Sequence, residues 1–313
     1  MRRFSGLLLL LFVLQGILVL ARAGGTCDEL GAHLPAGILH WRSGVAAGGL
    51  ANPPLGQLFV SAGAVLSGAA DHPLGQTAGH LWPARAPVLF LGIVTMLLTA
   101  EFARQLGGRG AGLAALAVAA VSPNLLAHAT LATLDLPVTA AISLALYAAW
   151  RWHRGRRLVS LVLWGLAFGI AVMVKHSALH LLPAVAFAVA FLPGTVADRA
   201  FRGTQLLLAG LVGLVLVAWA SYGPGPATGP LPEAFIAGLA DKWIHGREGH
   251  FAYLLGRRSL TGFPHYFVVA ALVKTPLPVL IAAGFGLVTI ARRRNAGDTS
   301  GFLAFVVLPA LWI

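Results

Sequence analysis

The chain has 313 residues, 58% of them hydrophobic and only 10% charged, and its mean hydropathy is +0.82. Because its apolar runs recur at the ~20 residues needed to cross a bilayer, we predict an all-α, polytopic membrane protein and exclude a soluble enzyme. The formal charge of +12 would favour nucleic acid as a partner in a soluble protein, but here the basic residues follow the predicted topology, so we expect none. A single cysteine, Cys27, excludes an intrachain disulfide but not an intermolecular one.

Nine apolar runs are predicted to span the membrane, with the N-terminus inside. Their approximate bounds are 4–23, 84–103, 110–130, 134–151, 158–174, 178–194, 205–222, 264–290 and from 301 onward. This orientation leaves thirteen of the 22 basic residues in inner segments, including the cluster Arg151–Arg157, as expected when short inner loops retain positive charge. We therefore expect one transmembrane domain, residues 1–313, with two long outer loops at residues 24–84 and 223–263.

The first apolar run has a second interpretation. Met1-Arg2-Arg3, the apolar core and Ala21-Arg22-Ala23 also fit a secretory signal with a small-residue cleavage site. We favour a retained span, because the run is long and further spans follow it.

The first outer loop carries the most informative polar residues. Asp28 and Glu29 follow the first span by about one helical turn, where a carboxylate is placed to accept a proton at the membrane surface. Further along, Leu55–Leu66 predicts an interfacial helix started by Pro53-Pro54 and lying along the outer surface, with an additional span as the alternative.

Three charged residues at outer helix ends are further candidates. Asp135 precedes an apolar run and either caps that helix or serves a site, and Lys175 either snorkels to the interface or contacts a substrate. Lys274 lies about ten residues into a predicted span, where a lysine costs roughly 2.5 to 3.5 kcal/mol on insertion scales. Carbonyls freed by the nearby prolines or an anionic lipid headgroup would offset this cost, and we favour the headgroup.

Five motifs in register identify a family resemblance. They are CDELGAHLPAG with NPPLGQL, ARAPVLFLG, SPNLLAHATLATLDLP, MVKHSALHLLP, and YLLGRRS followed by HYFVVAALVKTPLP. Together they resemble the lipid-carrier-dependent glycosyltransferases, which include the protein O-mannosyltransferases and the bacterial aminoarabinose transferases. The resemblance implies a GT-C-like fold, juxtamembrane helices in the first outer loop, and transfer of a sugar from a polyprenyl phosphate carrier. It matches Asp28, with Glu29 completing the acidic pair, and Lys274 to the family's site.

Such a transfer needs a carboxylate to take a hydroxyl proton and cations to stabilise the departing phosphate. We predict that Asp28 and Glu29 are the catalytic carboxylates and that the reaction inverts the anomeric centre at the outer face of the cell membrane. The acceptor is left open among a lipid, a glycan and a protein hydroxyl. The predicted contacts to the donor phosphate are Lys274, Arg257, Arg258 and Lys175. The candidate substrate-binding residues are Asp135, His128, His265 and Asn52. No cofactor is predicted, although a divalent cation remains open because no ligand spacing is diagnostic.

The chain also departs from the resemblance in two places. Family members often carry a histidine or lysine ahead of the paired prolines, whereas this chain has Ala51-Asn52-Pro53-Pro54. It stops within an apolar run at Leu311-Trp312-Ile313, which we interpret as a missing C-terminal part. A secondary transporter or lipid flippase, and an inactive truncated scaffold, are the alternative functions.

Overall fold

The computed structural model describes residues 2–44, 52–72, 78–190, 192–249 and 251–292, and within these ranges the chain is almost entirely helical. Five helices form the first half of the described chain. They are α1 (Arg2–Leu20), α2 (Leu34–Ser43), α3 (Pro54–Leu66), α4 (Ala78–Ala120) and α5 (Pro123–Ala129). Seven follow, namely α6 (Asp135–Gly155), α7 (Leu158–Val174), α8 (Leu181–Ala190), α9 (Val196–Tyr222), α10 (Glu233–Glu248), α11 (Tyr266–Lys274) and α12 (Leu277–Arg292). The all-α prediction is confirmed.

The predicted count of nine spans is not confirmed. Within the described ranges, three helices are long and apolar enough to cross a membrane: Arg3–Leu20, His80–Ala120 and Val196–Tyr222. A fourth qualifies if Tyr266–Lys274 and Leu277–Gly286, which bend by 110° at their junction, form one span. The run predicted from 301 onward lies outside the described residues. The other predicted spans correspond to helices of 10 to 21 residues that pack within the bundle.

Helix α4 is broken near its middle. Gly108 adopts φ 81° and ψ −173°, a conformation that glycine reaches without steric cost. A Cβ on Gly112 would lie 2.8 Å from the Ala100 carbonyl oxygen, so the second segment folds back against the first. The two spans predicted at 84–103 and 110–130 therefore form one hairpin. The side-chain amide of Gln15 on α1 donates to the Ala120 carbonyl at 3.1 Å, which links α1 to this hairpin.

The described part of the segment predicted as the first outer loop forms helices that pack against the rest of the protein. A π-helical turn, Glu29–His33, leads into α2, and α3 begins at Pro54 as predicted. Helix α3 packs against α2, α4 and α7 and buries Val60 and Ala64 completely, so it is part of the bundle. Its position along the outer membrane surface stays a prediction. Its close approach depends on glycine: a Cβ on Gly63 would overlap the Pro83 carbonyl of α4.

The main core lies among α6, α7 and α9. Trp164 of α7 is fully buried and donates its indole N–H to the Leu206 carbonyl at 2.8 Å. Gly165 and Gly169, four residues apart on α7, face Gly213 of α9 so closely that a Cβ on any of them would overlap backbone of the other helix. Small residues at this spacing allow two membrane helices to meet backbone to backbone.

We expect Gly165→Ala to destabilise the bundle by about 1 to 3 kcal/mol, because the added methyl overlaps the Ala209 carbonyl oxygen. Gly6→Ala is the matched control, since nothing lies within 4 Å of a Cβ there. Unfolding of the purified protein by titration with sodium dodecyl sulfate measures both. Equal stability of the two variants would contradict the close crossing.

The second long loop, predicted at 223–263, contains two hairpins and a helix. Strands β1 (Ala227–Thr228) and β2 (Leu231–Pro232) pair antiparallel ahead of α10. Strands β3 (Ala252–Leu254) and β4 (Arg257–Ser259) pair after it. The bend between α11 and α12 follows at Thr275 and Pro276, where Thr275 is extended at φ −89° and ψ 127°. Proline at the bend cannot supply the N–H that would continue the helix.

Candidate functional site

A buried ion pair joins the first loop to the bundle. Arg85 of α4 donates from Nε and Nη2 to the two carboxylate oxygens of Glu29, each at 2.7 Å, and neither side chain has any exposed area. The guanidinium also donates to the carbonyls of Ala23 and Gly24, at 2.9 and 2.7 Å. Because a buried charge requires such complete pairing, this contact fixes the end of α1 against α4.

Glu29 is saturated with donors. Besides the two bonds from Arg85, its carboxylate accepts from the backbone N–H and the hydroxyl of Thr26, both at 3.0 Å, and from the Ala132 N–H at 2.8 Å. Burial alone would raise the pKa of Glu29, but the donors from Arg85, Ala132 and Thr26 outweigh it and hold that pKa below its ordinary value. Glu29 is therefore ionised. Because donors already occupy both of its carboxylate oxygens, it is not placed to accept a proton from a substrate.

Asp28 has the opposite surroundings. Its side chain is exposed, and no hydrogen bond or ion pair engages it within the described part of the chain. It stands immediately before the π-helical turn, a local geometry that is frequent at functional sites. The predicted acidic pair is thus divided into one carboxylate locked in the protein and one open to solvent.

A second charged cluster lies at the same end of the bundle. The Lys175 ammonium donates to Asp135 at 2.9 Å, and His128 Nδ1 is 3.7 Å from the other Asp135 oxygen. Because α6 and α7 run antiparallel, the first residue of α6 meets the residue that follows α7. The structure therefore pairs two residues that the sequence indicated separately.

His33 lies between the two clusters. Burial lowers its pKa, against the opposing fields of the Asp28 and Asp135 carboxylates, so its imidazole is neutral near pH 7. Within the described residues, its enclosed Nδ1 has no hydrogen-bond partner. We use the term site end for the end of the bundle that carries Asp28, His33, Asp135 and Lys175.

A groove of about 920 Å³ opens beside Lys175. Its lining includes Asn52, Lys175 and Lys242, together with the apolar residues Ile236, Leu239 and Trp243 of α10. A groove with a largely apolar lining and two lysines, Lys175 and Lys242, has the chemistry to take an amphiphile that carries a negative charge.

The remaining predicted residues are farther along the chain. Lys274 ends α11 with an exposed side chain, and its carbonyl accepts from the Asn124 amide at 3.0 Å. Asn124 is one helical turn from His128 on α5, so the end of α11 reaches the site end. Arg257 and Arg258 lie exposed on β4, and His265 precedes α11 with its ring 6.0 Å from Phe263. No contact of these three residues with the site end is recorded among the described residues.

The metal prediction remains open. Among the residues that the structure describes, no group of three or more histidine, cysteine, aspartate or glutamate side chains is arranged to hold a metal ion.

A comparison with protein families gives the site its context. The model of the dolichyl-phosphate-mannose-protein mannosyltransferase family matches residues 53–222, which is more than half of the chain. The chain belongs to this family. No curated protein and no solved structure was found to match it.

Membership of the mannosyltransferase family makes the chain a membrane glycosyltransferase of the GT-C type, as the sequence motifs indicated. The family also implies a lipid-linked sugar donor and an acceptor in the membrane. The matched region contains Arg85, Asp135 and Lys175, while Asp28 and Lys274 lie on either side of it.

Two residues of the site were not predicted from the sequence. Arg85 was not singled out, although an arginine within the apolar run ARAPVLFLG requires a partner once that run is buried. The sequence offered no comparable signal for His33, because its position depends on the π-helical turn.

Proposed function

We propose that the chain transfers a sugar from a polyprenyl phosphate carrier to the hydroxyl of a lipid, glycan or protein acceptor. The proposed reaction takes place at the site end, on the outer face of the cell membrane. The observation that carries the proposal is Asp28, an exposed carboxylate without a bonding partner in the described chain, next to the buried Glu29. A carboxylate held on a fixed turn and open to solvent suits a general base.

In the proposed step, the acceptor oxygen attacks the anomeric carbon while Asp28 takes the hydroxyl proton. The bond between the anomeric carbon and the carrier oxygen breaks, and its electron pair leaves with the polyprenyl phosphate. Direct displacement of this kind inverts the anomeric centre. Glu29 stays ionised in its pair with Arg85, so in this proposal it positions the turn and does not exchange a proton.

Cations at the site end stabilise the departing phosphate in this proposal. Lys175 lines the groove but shares its charge with Asp135. Lys274 has no carboxylate partner among the described residues, so its full charge is available to the carrier phosphate. We assign the main phosphate contact to Lys274, with Lys175 beside it and Arg257 and Arg258 as further contacts from the hairpin.

Membranes that contain the chain are expected to release label from one of a set of radiolabelled polyprenyl phosphate sugars. Lys274→Gln is expected to lower that rate by about 10²- to 10³-fold, because one preorganised contact to developing charge is lost. Lys274→Arg is expected to recover part of the rate. Arg22→Gln, which removes an exposed cation after α1, is the matched control and is expected to leave the rate unchanged.

Two outcomes would contradict this proposal. If the chain is correctly inserted and no lipid-linked donor loses its label, polyprenyl phosphate sugars are not its donors. Full activity of Lys274→Gln would leave the donor class intact but remove the assigned phosphate contact.

A further inference from the structure

A second concave site lies at the opposite end of the bundle. It has a volume of about 590 Å³ and is lined by Arg104, Gln105, Arg151, Arg154, Gly155 and Arg157. We call this site the arginine pocket. Helix α6 runs from Asp135 at the site end to Gly155 in the pocket, a length of roughly 30 Å for 21 residues, so the pocket is separate from the site already described.

The arginine pocket has a large excess of positive charge. Four guanidinium groups line it, and among the described residues Glu101 on α4 pairs with one of them, that of Arg104. Glu101 accepts from Arg104 Nε and Nη2 at 2.6 and 2.7 Å, which neutralises one of the four. Arg151 and Arg157 add positive charge to the same concave surface, which favours an anion there.

Three of the four arginines, Arg104, Arg151 and Arg154, are held in place by neighbouring side chains. Gln105 bonds both Glu101 and the Tyr147 hydroxyl, at 2.6 and 2.7 Å, and so links α4 to α6. Arg151 donates to the same hydroxyl at 3.3 Å, and Arg154 stacks over the fully buried ring of Trp150 with its Cζ 5.1 Å from the ring centroid. Guanidinium groups fixed in this way lose little entropy when they bind the oxygens of a phosphate in pairs.

The surroundings indicate where the anion comes from. Immediately after Arg157, Leu158 and Val159 are 73% and 76% exposed at the start of α7. In a membrane protein, such residues contact lipid, so the pocket lies where the helices leave the hydrocarbon and meet the headgroups. The occupant that fits is a phosphate group attached to an apolar tail.

We propose that the arginine pocket binds the phosphodiester headgroup of an anionic membrane lipid. The lipid is held by the paired donors of the arginines as well as by their charge. This site is independent of the glycosyl donor and of the transfer reaction.

Native mass spectrometry of the purified chain, with phosphatidylglycerol and phosphatidylcholine added in turn, tests the proposal. We expect a discrete phosphatidylglycerol adduct that survives detergent removal, and at least tenfold weaker binding of it by the double variant Arg154→Gln with Arg157→Gln. Arg199→Gln with Arg202→Gln removes the same charge near the start of α9, outside the pocket, and is expected to bind as the unchanged protein does. Arg154→Lys with Arg157→Lys keeps the charge and is expected to bind several-fold more weakly, because lysine cannot donate in pairs.

Three results would overturn the proposal. Equal losses in the two glutamine variants would indicate diffuse attraction to the whole surface, and undiminished binding by the lysine variant would do the same. Displacement of the lipid by millimolar inorganic phosphate would identify a soluble phosphate compound as the occupant. Intrinsic tryptophan fluorescence on heating shows whether each variant is folded. If the glutamine variant of the pocket does not fold, the lysine variant serves as the test.

Discussion

Replacement of Asp28 by asparagine is expected to lower the rate of sugar transfer by about 10²- to 10⁴-fold, the usual contribution of a general base. The amide has nearly the same shape as the carboxylate but cannot accept the acceptor's proton. Because Asp28 is exposed and bonds to nothing else in the described chain, the substitution is expected to leave membrane insertion and stability unchanged. Release of label from the lipid-linked donor measures the effect.

Asp71→Asn is the matched control for this prediction. Asp71 is another exposed carboxylate of the first loop, but it pairs with Arg42. Its replacement is expected to change activity by less than twofold, since exposed ion pairs contribute little to stability. Full activity of a correctly inserted Asp28→Asn protein would falsify the assignment of the base.

Replacement of Glu29 by glutamine is expected to destabilise the protein by about 3 to 5 kcal/mol, because it leaves the Arg85 guanidinium buried without its counter-charge. The effect depends on pH. Since the pKa of Glu29 is lowered on folding, its stabilisation is fully present above its ordinary value of 4.5 and is lost as the pH falls through the folded value. Titration with sodium dodecyl sulfate at pH 7 and at successively lower pH measures both effects.

Glu101→Gln provides the comparison for this second prediction. Glu101 also forms a bidentate pair, with Arg104, but both side chains are well exposed, so its replacement is expected to cost less than about 1 kcal/mol. The double variant Glu29→Gln with Arg85→Met is expected to be more stable than Glu29→Gln alone. If Glu29→Gln costs no more than Glu101→Gln, the buried pair is not the contact that fixes the first loop.

The sequence predicted local features more successfully than distances between them. Pro53 and Pro54 marked the start of α3, because proline fixes the backbone dihedral and is tolerated in the first turn. The burial of α3 could not be predicted, since it depends on glycines such as Gly63 meeting the backbone of a helix that is distant in the sequence. The break at Gly108, by contrast, lies between the spans predicted at 84–103 and 110–130, because the polar, glycine-rich segment there interrupts the apolar pattern.

The candidate site shows the same division. Asp135 and Lys175 were each singled out from their places at helix ends, but their pairing at 2.9 Å required the antiparallel packing of α6 and α7. Glu29 and Asp28 were indistinguishable as neighbours in the sequence. Their separation into a buried and an exposed carboxylate follows from the position of Arg85 on a helix that begins some fifty residues later.

The contact of Ala132 with Glu29 restricts how the enzyme can move. One carboxylate side chain clamps the segment that carries Asp28 to the loop that leads into Asp135, so these two acids move as one rigid block. Closure around the proposed carrier would therefore come from α10, which lines the groove and leaves Trp243 and Ile244 largely exposed. The proposed base and the helix free to move thus lie in separate halves of the polypeptide.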